Sequence, residues 1–211
     1  MAGIAVLART RGHLAQIVQA FNQQRIPFTA VEIDALAERQ LIIDLSALTR
    51  ALLNPADRTA WLSVLRAPWC GLCLADLSAL AESETSLTIW KLLNTPTHIS
   101  NLSKDGMTRV SKFLAVMQAS LPQRDRISLR SWIESTWLAL GGPACVASGN
   151  ELDDAASFFD MLEAFGGQDF SMEALDTRLK KLYAQAPQQS KTSVQLMTMH
   201  KSKGLEFDIV I

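Results

Sequence analysis

The sequence predicts an α/β fold rich in helix, with short parallel strands near both ends of the chain and a run of helices between them. Three observations predict it. The opening residues read strand, helix, strand. The middle carries helical periodicity punctuated by capping residues, and the segment from Val194 onward returns to strand patterning.

Ile4-Ala5-Val6-Leu7 is an apolar run too short for a helix. From Arg11 the pattern turns helical, with Leu14, Ile17, Val18 and Phe21 recurring at steps of three and four up to Gln24. Pro27 breaks that helix, and Phe28 to Val31 reads as a second strand, which implies a crossover onto a parallel sheet. Leu36 to Leu53 is helical again, with Leu41, Leu45, Leu48 and Leu52 on one face. Asn54 is expected to cap the next helix, with Pro55 at its first position and Asp57 near its positive end. Further helices are expected over 74–81, 87–93, 106–120, 128–140, 150–165 and 171–185. Thr95 to Lys104 reads as a boundary and Pro187 to Thr192 as a return linker. Val194 to Met199 then alternates as a strand, and Phe207 to Ile211 forms another. The sequence stops within that strand, so it is expected to be a truncated piece of a longer product.

Composition excludes several classes. The 211 residues carry a formal charge of −1, without the basic excess of a stand-alone nucleic-acid binder. Three cysteines suggest a reducing compartment rather than a disulfide framework. No run reaches the roughly 20 apolar residues of a membrane span, and Arg9 interrupts the opening MAGIAVLART before a signal peptide could develop. The expected setting is cytoplasmic, with no membrane partner.

The segment VQLMTMHKSKGLEFDIVI carries the most chemistry. A strand delivers Thr198 and His200 to a loop, Lys201 to Gly204 turn it, Glu206 follows, and a second strand departs. Loops at the carboxyl ends of parallel strands are where open α/β sheets place ligands. Gly204 lets backbone approach a ligand closely, and Lys201 and Lys203 supply local positive charge.

This string resembles motif V of the UvrD-like superfamily 1 helicases: an apolar strand, T-x-H-x-x-K-G-L-E-F, and a second strand. Thr198, His200, Lys203, Gly204, Leu205, Glu206 and Phe207 all fit. The resemblance implies that Thr198, His200 and Lys203 face single-stranded DNA, and that Gly204 and Glu206 border ATP, Glu206 at the ribose. The opening IAVLARTRGHLAQIVQAF is similar to motif IV, whose strand ends in an arginine reaching the γ-phosphate; that position is Arg9. A guanidinium there would stabilise charge on the transferring phosphoryl group. The stretch LAERQLIIDLSALTRALLNPADRTAWLSVLRAPWCGLCLADL resembles the family's region from an E-x-x-x-D helix through N-P-x-D to P-x-x-G-L, and it sets Arg39 near the DNA backbone. Two positions depart from the pattern. Ala8 replaces an aromatic residue that stacks on adenine, and Cys70 replaces an arginine. The first departure pulls the likeness toward the RecB and AddA type of ATP-dependent exonuclease.

The resemblance implies a partial RecA-like sheet of the P-loop NTPase type with an all-helical insertion. Residues 1–104 would be the first part of a second motor domain, 105–187 the insertion, and 188–211 the return to the motor domain. Its function would be ATP-driven translocation on single-stranded DNA and duplex unwinding in recombination or repair. ATP with Mg²⁺ would be the cofactor, and the partners would be DNA, a first motor domain and a nuclease or partner helicase subunit. No G-x-x-x-x-G-K-[ST] phosphate loop occurs in the sequence, so the chain alone is expected to bind no cofactor and hydrolyse no ATP. The alternative is a catalytically inactive adaptor that keeps helicase-derived segments for protein contacts.

Several features read as decoys. Cys70 and Cys73 have C-x-x-C spacing, but four ligands make a structural zinc site and Cys145 is distant in sequence, so a turn is expected and no metal. Leu41-Ile42-Ile43-Asp44 could pass for a Mg²⁺-binding strand, yet its apolar positions continue at helical spacing. Trp90, Trp132 and Trp137 lie within amphipathic stripes and are expected in the core.

Overall fold

The computed structural model describes residues 3–24, 26–30, 36–147, 149–165, 171–179 and 194–211. They fall into two compact units, Met1–Arg39 with Thr177–Ile211, and Gln40–Asp176.

The first unit is built on a four-stranded, all-parallel sheet. β1 (Ile4–Ala8) leads into α1 (Arg11–Gln23) and then β2 (Thr29–Ala30). The chain returns with β3 (Val194–Thr198) and β4 (Ile209–Val210). The order β2-β3-β1-β4 inserts the returning strand between the first two. Val6, Ala8, Leu14 and Leu196 form the core, and Ile17, Val18, Phe21 and Phe28 pack against it. α1 therefore turns its three-and-four-spaced apolar residues onto the sheet, as its periodicity requires. Pro27 cannot continue a helix. Beyond it, Phe28 returns to meet Phe21 edge to face, ring centroids 5.6 Å apart.

The second unit is helical. α2 (Gln40–Leu53) buries Ile42, Leu45, Leu48 and Leu52. It is followed by α3 (Arg58–Arg66), α4 (Leu74–Ser83), α5 (Ile89–Leu93), α6 (Pro96–Ile99), α7 (Lys104–Ser120), α8 (Leu129–Ala139), α9 (Gly149–Glu163) and α10 (Met172–Leu179). Serine and threonine start several of these: Thr88, Ser103 and Ser128 each accept a backbone N–H of the first turn. Trp61 packs at a tilt against Trp90 and edge to face against Phe113. Trp132 and Trp137 are buried, and the Trp132 indole N–H donates to the Ser120 carbonyl at 2.9 Å. Trp61, Trp132 and Trp137 are core, while Trp90 is half-buried against Trp61. Among the described residues no helix is long and apolar enough to cross a membrane.

Two expectations are corrected, at Asn54 and at the final strand. Thr95 to Lys104 lies within the second compact unit, whose edges fall after Arg39 and Asp176. Ser103 and its neighbours sit inside the second unit, tied by hydrogen bonds to Asp76 of α4. Asn54 does not cap α3. Asp57 does, accepting from Ala60 N at 2.9 Å, while Asn54 closes a turn by accepting from Ala56 N. The final strand is shorter than 207–211, although Ile211 extends its ladder by donating to Ala5. The remainder of the expected 171–185 helix and the 187–192 linker lie outside the described residues.

Candidate functional site

The register of the two central strands brings the two ends of the chain together. β1 and β3 run parallel, Ile4 beside Val194 through Ala8 beside Thr198. Ala8 and Thr198 are the last residues of their strands, so Arg9 and the turn after Thr198 emerge side by side at one carboxyl edge. A bond from Met199 N to Ala8 O at 3.0 Å continues the pairing into the loop. Arg9 and His200 are both exposed there, and Thr198 is half-buried. α1 opens immediately beyond Arg9, which puts the positive end of its dipole at the same edge. With Lys201 and Lys203 exposed alongside, the edge suits an anion such as phosphate.

The turn is wound around one carbonyl. The Lys201 and Ser202 N–H groups both donate to Thr198 O, at 2.9 and 3.3 Å, and Leu205 N donates to Ser202 O at 3.0 Å. Gly204 lies at φ +86°, the left-handed region that favours glycine, with open space where a Cβ would sit. That turn leaves His200, Lys203 and Glu206 projecting as exposed side chains.

Two residues of this turn escape sequence reasoning. The Ser202 hydroxyl donates to Met199 O at 2.8 Å, and the Asp208 carboxylate accepts from Gly3 N. Asp208 N and Ile209 N both donate to Gly3 O, pinning the end of the turn to the start of β1. The signal for Asp208 was a charged residue at the entry to an apolar strand, which is ambiguous without the pairing partner.

Other expected residues stand elsewhere. Arg39 follows a 3₁₀ turn at Leu36–Glu38, half-buried, its N–H bonded to Leu36 O at 3.1 Å. Strand pairing does not extend to it. Cys70 is buried in the turn after α3, and burial pushes its thiol up to about 11. Cys73 caps α4 and its thiol donates to Asp76. Both cysteines thus act as turn residues. Asp44 sits on helix α2, held by Gln40 and Arg66 rather than ending a strand. Among the described residues no group of three or more His, Cys, Asp or Glu is arranged to hold a metal.

A comparison with protein families matches residues 1–211 to the UvrD-like helicase C-terminal domain. The chain belongs to that family. This UvrD-like domain is 28% identical to the ATP-dependent DNA helicase Rep of Salmonella typhimurium, over 94% of the chain and 32% of the relative. It is 24% identical to the ATP-dependent DNA helicase PcrA of Leuconostoc citreum, over 98% of the chain and 30% of the relative. An ATP-dependent helicase/nuclease of Oceanobacillus iheyensis is 25% identical, over 99% of the chain and 18% of the relative. The chain thus spans about a third or less of the length of these curated relatives, and they include both helicases and a helicase/nuclease.

Proposed function

We propose that this UvrD-like domain forms one wall of an ATP cleft and part of a single-stranded DNA groove in an ATP-driven DNA helicase. In this reading Arg9 reaches the γ-phosphate and Glu206 the ribose, with Gly204 bordering the nucleotide. Thr198, His200 and Lys203 face the DNA backbone, and Arg39 adds a backbone contact. Residues 1–104 and 188–211 are assigned to the second motor domain and 105–187 to its helical insertion, so the motor domain takes in the first helices of the helical unit as well as the sheet. The phosphate loop and Mg²⁺ carboxylate are supplied by a first motor domain. Ala8, which cannot stack on adenine, favours the helicase/nuclease branch, acting in recombination or repair beside a partner protein.

The observation that carries this reading is the pairing of Ala8 with Thr198. It gives Arg9 and the His200 turn a common edge, so one loop cluster can sense nucleotide and DNA together. What the edge offers is positive charge and fixed backbone, and positioning with electrostatics is what phosphoryl transfer asks of a protein.

His200→Ala in the full helicase tests the DNA half. An imidazole on a phosphate contributes about one hydrogen bond, on the order of 1 kcal/mol. Single-strand affinity by fluorescence anisotropy is expected to fall roughly fivefold, with basal ATPase retained. Unchanged affinity would remove His200 from the groove.

A further inference from the structure

The helical unit contains a cavity of about 160 Å³, bounded by α2, the turn after α3, Gly142, Cys145 to Ala147, and Glu151. A cavity of about 150 Å³ holds one benzene ring, so this one has room for a single ring. Its walls are mostly apolar: Leu41, Pro68, Trp69 and Val146. Two carboxylates interrupt them, Asp44 of α2 and Glu151 of α9.

Asp44 is only 2% exposed. It accepts from Gln40 Nε2 at 2.8 Å and from Arg66 at 3.1 Å. Glu151 accepts from Ala147 N at 2.8 Å. Two carboxylates against the one guanidinium bonded to Asp44 leave a formal charge of −1 around an apolar space. Burial holds the Asp44 carboxyl above its ordinary value, and the Gln40 and Arg66 contacts oppose that shift without cancelling it. Donors are scarce by comparison. One is the Trp69 indole N–H, buried and without a hydrogen-bond partner among the described residues, and the other, the Gln40 amide, is already engaged by Asp44, so one free donor stands against two carboxylates. The space therefore asks for a ligand that donates hydrogen bonds, carries positive charge and presents a flat apolar surface. A planar cation meets carboxylates through paired N–H groups and packs well against an aromatic side chain.

We propose that this cavity binds a small planar organic cation of the amidinium or guanidinium class, its apolar part between Pro68 and Trp69 and its N–H groups toward Asp44 and Glu151. The site lies in the helical unit and is independent of the sheet-edge reading.

Benzamidine, one ring carrying one amidinium, is the probe, and benzamide is its neutral counterpart. Both are titrated against the whole chain, followed by amide chemical shifts. Benzamidine is expected to bind with a Kd on the order of 1 mM, shifting resonances around Asp44, Trp69 and Val146. Benzamide is expected to bind at least about tenfold more weakly, since it lacks the charge. Glu151→Gln keeps an oxygen for Ala147 N and preserves the fold, so it isolates the second carboxylate. It is expected to weaken benzamidine several-fold at an unchanged unfolding midpoint. Asp44→Asn is expected to weaken it further, although that variant also removes the charge paired with Arg66. The proposal is overturned by any of four outcomes: equal affinity for benzamidine and benzamide, shifts confined to other residues, no binding by the folded chain, or wild-type affinity in Glu151→Gln.

Discussion

Asp76 gathers three donors at once: the Ser103 N–H at 2.7 Å, the Ser103 hydroxyl at 2.8 Å and the Cys73 thiol at 3.3 Å. Ser103 in turn accepts from Gly106 N at 3.0 Å, so one carboxylate fixes the start of α4 and of α7. Gly106 is obligatory here for space rather than for φ, because a Cβ would lie 2.3 Å from the Asp76 carboxylate. The Ser103 N–H leads in holding the Asp76 carboxyl below its ordinary value, with the Ser103 hydroxyl and Cys73 assisting against desolvation. A depressed folded-state value means a contribution fully present above the unfolded value, near 4, and lost as pH falls through the folded one. Asp76→Asn is expected to cost on the order of 2 kcal/mol at pH 7, and the gap from wild type is expected to close as acid is added. Urea unfolding at pH 7 and near pH 3 measures both. A gap that widens in acid would reverse the sign and sink this account. Asp44 shifts the opposite way, so the comparison rests on the difference between the two proteins and not on the wild-type pH curve alone.

At the scale of elements, the turn joining β3 to β4 is the part most exposed to a single substitution. Gly204 sits at φ +86° with open space where a Cβ would lie, so Gly204→Ala changes backbone energy without a clash. The expected cost is on the order of 1 kcal/mol. Gly204→Asn is expected to recover much of it, because asparagine visits the left-handed region more readily. Denaturant midpoints for the two variants decide this, and equal midpoints would mean that the φ is not maintained. Both ends of the chain were legible in the sequence because their signals are local. Ile4 to Leu7, the break at Pro27 and the Val194 alternation each need only their neighbours to be interpreted. Several helices of the middle were legible from apolar periodicity and punctuating residues, and Ser128 and Ser171 do accept first-turn N–H groups. The start of α3 was not, since Asn54 and Asp57 are both good caps and only the fold selects Asp57. The unit boundaries were hidden for another reason. Thr95 to Lys104 is polar and holds a proline, which looks like a linker, yet Ser103 there is tied to Asp76, 27 residues earlier. Likewise α10 is joined to α2 by the ion pair of Arg50 with Asp176, a contact with no local signature.

For the whole molecule, the central matter is why residues near the two ends of a 211-residue chain should lie side by side. The sheet order answers it, because β3 inserts between β1 and β2 and carries its loop to the edge where β1 ends. In the proposed helicase this gives Arg9 and His200 a common edge and separate ligands. The direct measurement is steady-state ATPase of the full helicase carrying Arg9→Ala, with single-strand affinity taken in the absence of nucleotide. Removing an arginine that stabilises transferring charge can cost on the order of 10³ in rate. The account predicts a loss of that order in ATP hydrolysis, with DNA affinity near wild type. Normal hydrolysis by Arg9→Ala would contradict it, leaving Arg9 a surface charge at the end of β1.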